Sequence, residues 1–182
     1  MSLGLYLHIP YCFSKCRYCD FYSHPGERGV PEAYVDALLR ELSRFAPERP
    51  LQPDTLYFGG GTPSLLRPEQ AKRLIDAARP MPGAEITLEA NPETVTEESL
   101  AGFREAGVNR ISFGVQSARD TQLRTLGRPH TAKQARAAFA AARRAGFANI
   151  SGDIMLALPH YTEAEFDETL ELIEGGGATH IS

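Results

Sequence analysis

Residues 85–116, EITLEANPETVTEESLAGFREAGVNRISFGVQ, contain the pattern that decides the fold. A β-rich run at Glu85–Ala90 precedes a helical segment that is expected to stop at Gly107, and a second β-rich run follows at Arg110–Gln116. A strand, a helix and a strand in succession predict two parallel strands joined by a right-handed crossover. This stretch is therefore one βαβ unit.

The same alternation continues through the rest of the sequence. Further strands are predicted at Leu3–Ile9, Asp54–Gly59 and Asn149–Leu158, and the last four residues resemble the opening of another strand. Helix starts are indicated by Pro31 and Pro68 at first helical positions and by a capping box at Thr162–Glu165. A helix is expected to stop at Gly146, and Glu48–Pro53 is predicted to be a proline-rich loop. Thr131–Ala145 is predicted to be a helix that packs on the sheet, with Ala135, Phe139 and Ala142 on one face.

These elements predict an α/β fold. Six strands alternating with helices are typical of a partial (β/α)6-type open parallel barrel, here apparently truncated near strand six. The nearly continuous apolar character of the strands predicts that both faces of the sheet are buried.

The composition fits one ordinary soluble domain. Hydrophobic residues make up 42% of the chain, charged residues make up 23%, and the formal net charge is -4. This mild acidity argues against a large electrostatic footprint for nucleic acid. No apolar run approaches the roughly 20 residues that cross a bilayer, so we expect neither a nucleic-acid partner nor a transmembrane segment.

All three cysteines lie in the segment YCFSKCRYCDFYS, residues 11–23. An odd number of thiols and the absence of a signal segment argue against a disulfide framework. The protein is therefore expected in a reducing cytoplasm, where clustered thiols bind metal or take part in chemistry.

The spacing of Cys12, Cys16 and Cys19 predicts a metal centre. Thiolates at C-x3-C-x2-C spacing can hold three irons of a cubane 4Fe-4S cluster and leave the fourth iron open to a small molecule. Zinc is the main alternative, with His8 or His24 as the fourth ligand. The irregular spacing and the lack of a second cysteine pair favour the cluster over zinc, and the third cysteine disfavours a C-x-x-C redox pair.

Polar residues and glycines follow the predicted strands at one end. Cys12 follows strand one, GGGTP at 59–63 follows strand two, Glu89 ends strand three, Gln116 ends strand four, and Asp153 lies within strand five. In β/α barrels the ligand site is built at the carboxyl ends of the strands. Five separate segments are therefore expected to meet at one rim. GGGTP lacks the lysine of a phosphate-binding P-loop, which disfavours nucleotide triphosphate hydrolysis.

Several of these segments resemble a known family. C-x3-C-x-Y-C at the end of a first strand is similar to the signature of radical S-adenosylmethionine (SAM) enzymes, which share a partial β/α barrel. The segments HIPYCFSKCRYCDFYS, LYFGGGTPSLL, LEANPETV, ISFGVQSARDTQLRTLGRPH and DIMLALP resemble the oxygen-independent coproporphyrinogen III oxidase family, and within it the haem chaperone branch. The resemblance covers nearly all 182 residues.

The resemblance implies cluster ligands and two groups of SAM contacts. Cys12, Cys16 and Cys19 would hold the 4Fe-4S cluster, and the methionyl end of SAM would close the fourth iron. Contacts of the first SAM would come from Tyr6, Tyr18, Gly60 and Glu89, whereas Gly61, Thr62, Gln116, Arg128 and Asp153 match a second SAM site of the oxidases. Arginine can pair with a ligand carboxylate, and glutamine and aspartate can hydrogen bond to ribose hydroxyls or an ammonium.

The residues themselves leave simpler alternatives open. Tyr6 and Tyr18 could serve strand and loop packing, Arg128 could be an ordinary surface cation, and Asp153 could be a buried carboxylate with a structural partner. Their common position at one rim favours the functional interpretation.

One position departs from the oxidases. They carry a further cysteine two positions beyond the third cluster ligand, and Phe21 stands there in this sequence. Asp20 and Phe21 instead match the chaperone branch, which puts decarboxylase activity in doubt. We therefore expect a protein that delivers haem to a client, with oxidative decarboxylation of coproporphyrinogen III as the alternative.

The implied cofactors are a 4Fe-4S cluster, SAM and haem. The implied partners are a haem or porphyrin ligand, a haem-accepting client protein and an electron donor. None of His8, His24, His130, His160 and His180 is singled out as a haem ligand, because isolated histidines are more often structural. tRNA modification is disfavoured by the missing basic domain.

Members of the family continue beyond strand six into a C-terminal domain. Residues 1–182 are therefore expected to be one radical SAM core domain and a fragment of a longer protein. An uncovered sheet edge would favour self-association of such a fragment.

Overall fold

The computed structural model describes residues 2–45, 51–158 and 161–182. In chain order the elements are β1 (Gly4–Ile9), β2 (Tyr11–Cys12), β3 (His24–Pro25), α1 (Glu32–Phe45), β4 (Thr55–Gly60), α2 (Pro68–Ala78), β5 (Glu85–Ala90), α3 (Glu97–Ala106), β6 (Arg110–Gln116), α4 (Asp120–Leu126), α5 (Ala132–Arg144), β7 (Asn149–Ile154), α6 (Glu163–Gly175) and β8 (His180–Ile181). Single 3-10 turns lie at Pro63–Leu65 and Pro92–Thr94.

Six of the strands form one parallel sheet in the order β1-β4-β5-β6-β7-β8. Each strand of this sheet pairs with the next one along the chain, and helices connect them. Within the described residues β1 and β8 are the two edges, so the sheet does not close on itself. The prediction of an α/β fold with an open parallel barrel is confirmed.

The helix boundaries follow the capping chemistry of the sequence. The Thr162 side chain accepts a hydrogen bond from the Glu165 backbone N–H at the start of α6. Pro68 is the first residue of α2, and Gly107 ends α3 with φ 114°. Pro31 lies immediately before α1 rather than in its first position, a difference of one residue.

One face of the sheet is apolar and covered by the helices. Its fully buried side chains include Leu56, Phe58, Leu88, Ile111 and Phe113. On α5, the predicted face of Ala135, Phe139 and Ala142 is fully buried against this layer. The Phe113 and Phe139 rings meet edge to face with their centroids 5.2 Å apart.

The opposite face is polar, although the middle of the sheet is buried there too, as predicted: Ser112 is 3% exposed and Ser151 is fully buried. Tyr57, Glu89, Ser112 and Asp153 point there and hydrogen bond to one another in pairs, and Tyr6 on β1 is 53% exposed. Burial on this face is incomplete at the β1 edge, where Tyr6 lies, and around the partly buried Tyr57, Glu89 and Asp153. This inner face is the polar, concave side of the open barrel.

The strand β7 ends at Ile154, four residues before the predicted end at Leu158. Ala157 has φ 56° and Leu156 is exposed, so the chain has already left the sheet there. The predicted strand at the last residues is present as β8. Of the predicted loop Glu48–Pro53, residues 48–50 lie outside the described residues.

Among the helices of the described ranges, none combines the length and the apolar character needed to cross a membrane.

Candidate functional site

A glycine turn at the end of β4 brings the backbone against the cysteine loop. Gly60 has φ 117°, in the left-handed region that favours glycine. A Cβ on Gly61 would lie 2.9 Å from Cys12 Sγ and 2.7 Å from the Tyr11 carbonyl oxygen. The Gly61 N–H donates to the Ile9 carbonyl at 2.9 Å. Glycine is therefore required for this close approach.

The cysteine loop connects β2 to β3 and has three free thiols. Cys12 is buried, whereas Cys16 and Cys19 are half-buried, and all three line one cavity. The Arg17 N–H donates to the Leu126 carbonyl at 3.0 Å, which attaches the loop to the end of α4.

Burial raises the pKa of the Cys16 thiol, and the Arg128 guanidinium partly opposes this effect. A thiol in this setting becomes a thiolate when a metal replaces its proton. The Cys16 thiol is therefore not a freely ionised nucleophile, and metal ligation by the three cysteines stays a prediction.

The histidines considered for zinc are already engaged. His8 Nδ1 lies 3.2 Å from the Tyr6 hydroxyl and His8 Nε2 lies 3.0 Å from the Tyr22 carbonyl oxygen. His24 Nε2 lies 3.2 Å from the Tyr22 hydroxyl. In the described part of the chain, no three His, Cys, Asp or Glu side chains converge closely enough for a single metal ion. A cubane, whose thiolates bind separate irons, suits this arrangement better than zinc.

A cavity of about 160 Å³ opens at the carboxyl ends of the strands. All predicted site residues except Tyr6 line it: Cys12, Cys16, Tyr18, Cys19, Gly60, Gly61, Thr62, Glu89, Gln116, Arg128 and Asp153. Sequence reasoning missed Lys15, Asn91, Ser112 and Gly114, which line the same cavity. Asn91 directly follows Ala90, the last residue of β5. A polar residue directly after the carboxyl end of a strand is the sequence signal that could have identified it.

Glu89 is held in place at the end of β5. The Tyr57 hydroxyl donates to Glu89 Oε1 at 2.8 Å, and the Gly60 N–H donates to Oε2 at 3.1 Å. Burial raises the pKa of Glu89 and these two hydrogen bonds oppose the rise, while the nearby Asp153 carboxylate adds to it. Two carboxylates in one cavity favour a cationic ligand group such as an ammonium or a sulfonium.

Tyr6 lies behind this carboxylate rather than in the cavity. Its ring stacks on Tyr57 with the centroids 6.0 Å apart, and Tyr57 makes the contact to Glu89. Direct contact of Tyr6 with SAM stays a prediction.

Arg128 brings a positive charge to the opposite wall. One terminal nitrogen, Nη1, donates to Asn91 Oδ1 at 2.8 Å, and the guanidinium lies 6.0 Å from the centroid of the Tyr18 ring. Arg128 Nε is buried with no hydrogen-bond partner among the described residues. Arg128 lines the cavity, and its charge suits a ligand carboxylate. Burial raises the pKa of Tyr18 to about 12, so the phenol is neutral at physiological pH.

The loop that carries Arg128 is anchored by His130. This histidine is buried, with Nε2 3.1 Å from the Val115 carbonyl oxygen and Nδ1 3.3 Å from Glu93 Oε2. Nδ1 and Glu93 Oε2 lie close without hydrogen-bond geometry among the described residues, so it is burial and the Val115 contact that make His130 an anchor.

Asp153 and Gln116 complete the far wall. Asp153 Oδ1 accepts a hydrogen bond from the Ser112 hydroxyl at 3.0 Å, and burial raises the pKa of this carboxyl. Gln116 has φ 65° beside a register shift between β6 and β7. A left-handed backbone at a residue other than glycine is strained, and such strain recurs at functional sites.

The sequence model of the radical SAM superfamily matches residues 6–173. The chain belongs to the radical SAM superfamily. Its members bind a 4Fe-4S cluster and SAM, in agreement with the cofactors expected from the cysteine motif.

Relatives with curated names include heme chaperones. The "Heme chaperone HemW" of Haemophilus influenzae is 40% identical over 94% of this chain and 48% of its own length. The protein of the same name from Escherichia coli is 43% identical over 86% of this chain and 43% of its own length. The chain thus spans about half the length of the curated relatives it matches.

A solved structure shares the fold over almost the whole chain. Coproporphyrinogen III oxidase (HemN) from Escherichia coli, described as a radical SAM enzyme, aligns with a TM-score of 0.85 at 29% identity. The alignment covers 99% of this chain and 44% of that one.

Proposed function

We propose that this chain is the cofactor-binding core of a haem chaperone, which binds a 4Fe-4S cluster and SAM and takes part in delivering haem to an acceptor protein. Similarity to proteins named heme chaperone supports the proposal. The observation that carries it is Phe21, which stands where the related oxidases have a further cysteine and lines the cofactor cavity. No thiol is available for chemistry at that position.

Cys12, Cys16 and Cys19 would ligate the cluster. They are free, they line one cavity, and the Gly61 backbone packs against Cys12 where a side chain would collide. When bound, the cluster and SAM together supply one-electron reductive cleavage of the sulfonium, and the protein orients the cofactors and limits access of water.

The remaining cavity residues would hold SAM. Glu89, which accepts a hydrogen bond from the Gly60 N–H, suits the cationic ammonium of the first SAM. Tyr18, with Tyr6 behind Glu89, belongs with the first SAM. The set Gly61, Thr62, Gln116, Arg128 and Asp153 lines the same cavity and would provide a second SAM site, with Arg128 suited to its carboxylate.

The setting and partners follow from this chemistry. Three free thiols are kept available in a reducing compartment, so we place the protein in the cytoplasm. An electron donor would reduce the cluster, and a client protein would accept the haem.

Oxidation of coproporphyrinogen III is the second candidate. The structural similarity to the Escherichia coli oxidase favours it, with a TM-score of 0.85. Phe21 disfavours it, because a phenyl group can neither transfer a proton nor ligate a metal.

The two candidates differ in turnover. In one assay the anaerobically reconstituted protein is incubated with coproporphyrinogen III, SAM and dithionite. In a second assay the protein is loaded with haem and mixed with an apo-haemoprotein. We expect haem transfer without protoporphyrinogen formation. Robust protoporphyrinogen formation would refute the chaperone assignment.

The cofactor assignment has its own measurement. Iron and sulfide contents and electron paramagnetic resonance spectra are compared with and without SAM, using Cys16→Ala as a control that lacks one thiol. We expect a spectrum that changes on SAM addition in the wild type alone. A single bound zinc, or a cluster spectrum indifferent to SAM, would refute the assignment.

A further inference from the structure

The inner face of the sheet is poorly suited to an apolar macrocycle. Tyr57, Glu89, Arg110, Ser112, Asp153 and Ser151 lie there, and their side chains are largely engaged in hydrogen bonds with neighbouring polar groups. An apolar ring system buried against these groups would offer their remaining polar atoms no hydrogen-bond partner, at a cost in free energy. A haem ligand therefore needs apolar surface elsewhere.

Exposed aromatic side chains concentrate on the cysteine loop. Phe13, Tyr18, Phe21 and Tyr22 all belong to it, and Phe21 and Tyr22 are 69% and 70% exposed. Adjacent large apolar side chains left in water usually mark a binding surface. Flat rings of this kind suit a flat aromatic ligand, because offset stacking adds to the burial of apolar area.

The backbone beneath these two rings is fixed. Lys15 Nζ donates to the Phe21 carbonyl oxygen at 2.7 Å and reaches the Ser23 hydroxyl at 3.3 Å. The Tyr22 carbonyl oxygen lies 3.0 Å from His8 Nε2. The rings are therefore carried by a backbone that is already held in place, which lowers the entropic cost of binding.

The loop also offers positive charge. Lys15, Arg17 and Arg28 form no ion pair among the described residues. On residues 13–28 these three cations outnumber the two acids, Asp20 and Glu27, before the charges of the thiolates and the cluster are counted. Lys15 has three donors, and two are used on Phe21 and Ser23, which leaves one for an anionic group.

We propose that Phe21, Tyr22 and Lys15 form a haem-docking surface, called here the aromatic mouth. The two rings bind the macrocycle and the Lys15 ammonium pairs with a propionate. This inference rests on the proposed function, because haem is the ligand. Phe21 and Lys15 also line the cofactor cavity, so the haem lies at its opening and not inside the barrel.

Haem titration of the anaerobically reconstituted protein tests the aromatic mouth. The Soret absorbance is followed for the wild type, for the double variant Phe21→Ala with Tyr22→Ala, and for Phe45→Ala. Phe45 is the matched control, since its ring is 76% exposed at the end of α1, away from the cysteine loop. We expect the double variant to raise the haem Kd at least tenfold and the control to change it less than twofold.

The charge contribution is separated with a second ligand. Lys15→Gln is expected to raise the Kd for haem about threefold and to leave the Kd for haem dimethyl ester unchanged, because the ester has no propionate charge. If the double variant loses iron or fails to fold, Phe21→Leu is used in its place. This substitution keeps the apolar bulk without the aromatic face, and we expect it to raise the haem Kd about threefold.

The outcomes separate this inference from the proposed function. A wild type that binds no haem overturns both. A wild type that binds haem, together with Phe21 and Tyr22 variants that bind it equally well, overturns only the aromatic mouth and places haem elsewhere on the molecule.

Discussion

The two faces of the parallel sheet are built from alternate residues of the same strands, yet they differ in nearly every physical property. On β6, Phe113 is fully buried against α5, whereas its neighbour Ser112 donates a hydrogen bond to Asp153 at the cavity. Packing of apolar side chains stabilises the fold on the helix-covered face. On the inner face, hydrogen bonds and partly desolvated charges prepare a site at some cost in stability.

Substitution of neighbouring residues on β6 tests this difference most strongly. Phe113→Ala removes a buried ring, and we expect the free energy of unfolding to fall by about 3 to 5 kcal/mol. Ser112→Ala removes one hydrogen bond, and we expect a loss of about 1 kcal/mol. Urea denaturation of both variants provides the measurement. Equal losses would mean that the two faces contribute alike to the free energy of unfolding, which would contradict the difference described above.

A methyl group on the inner face is expected to affect binding more than folding. The Cβ of Gly114→Ala would collide with the Arg128 guanidinium, which can move because it is the end of a flexible side chain. We expect SAM affinity to fall about tenfold, or about 1.4 kcal/mol, with little change in stability. Equilibrium dialysis with the reconstituted protein measures this affinity.

Gly175→Ala is the matched control for that glycine. It lies at the end of α6, and a Cβ there would meet nothing within 4 Å. We expect SAM affinity to be unchanged and stability to rise by up to about 1 kcal/mol, because alanine favours a helix over glycine. Equal SAM affinities for the two alanine variants would show that Arg128 does not bind SAM.

Tyr57→Phe is a smaller change at the same site. It removes the donor to Glu89 Oε1, and one of the two hydrogen bonds that hold down the pKa of this carboxyl is lost. We expect the Glu89 pKa to rise further and the free energy of unfolding to fall by about 1 kcal/mol. Carboxyl titration by NMR measures the first effect. An unchanged Glu89 pKa would contradict the hydrogen bond.

Asp153→Asn is expected to give the smallest shift, and in the opposite direction. Burial raises the pKa of Asp153 in the folded protein, so its contribution to stability is present at low pH and lost as pH rises through the raised pKa. Asparagine avoids this loss and can still accept from Ser112. We expect Tm at pH 7 to rise by about 2 °C and the gain to vanish below about pH 4.

Thermal scans at several pH values provide that measurement, and SAM affinity should fall in the same variant. A gain in Tm that persists at low pH would point to packing rather than to charge.

The sequence predicted the strands well where their borders carry local signals. The predicted and observed bounds agree for β5 and β6, because a charged residue opens each strand and a helix signal follows. The end of β7 could not be predicted, since Met155 to Leu158 are as apolar as a strand. The strand ends where its pairing with β6 ends, at Ile154 opposite Gln116, beyond a register shift.

The site was predicted from the ends of strands together with the family resemblance. The residues that were missed act through partners distant in sequence. Asn91 matters because it accepts from Arg128, and His130 matters because it faces Glu93 and Val115. No local pattern shows these pairs. The pairing of β2 with β3 was missed for a different reason. Each of these strands has only two residues, which is too short to show an alternating pattern.

The attachment of Arg17 to Leu126 has a consequence for the order of assembly. The loop that holds all three thiols contains little regular structure of its own, and part of its shape comes from a carbonyl group more than a hundred residues later. This part of its shape is available only after β6 and α4 have formed. We therefore expect the loop to reach its full shape only once the middle of the chain has folded, although the thiols are among the earliest residues to be synthesised.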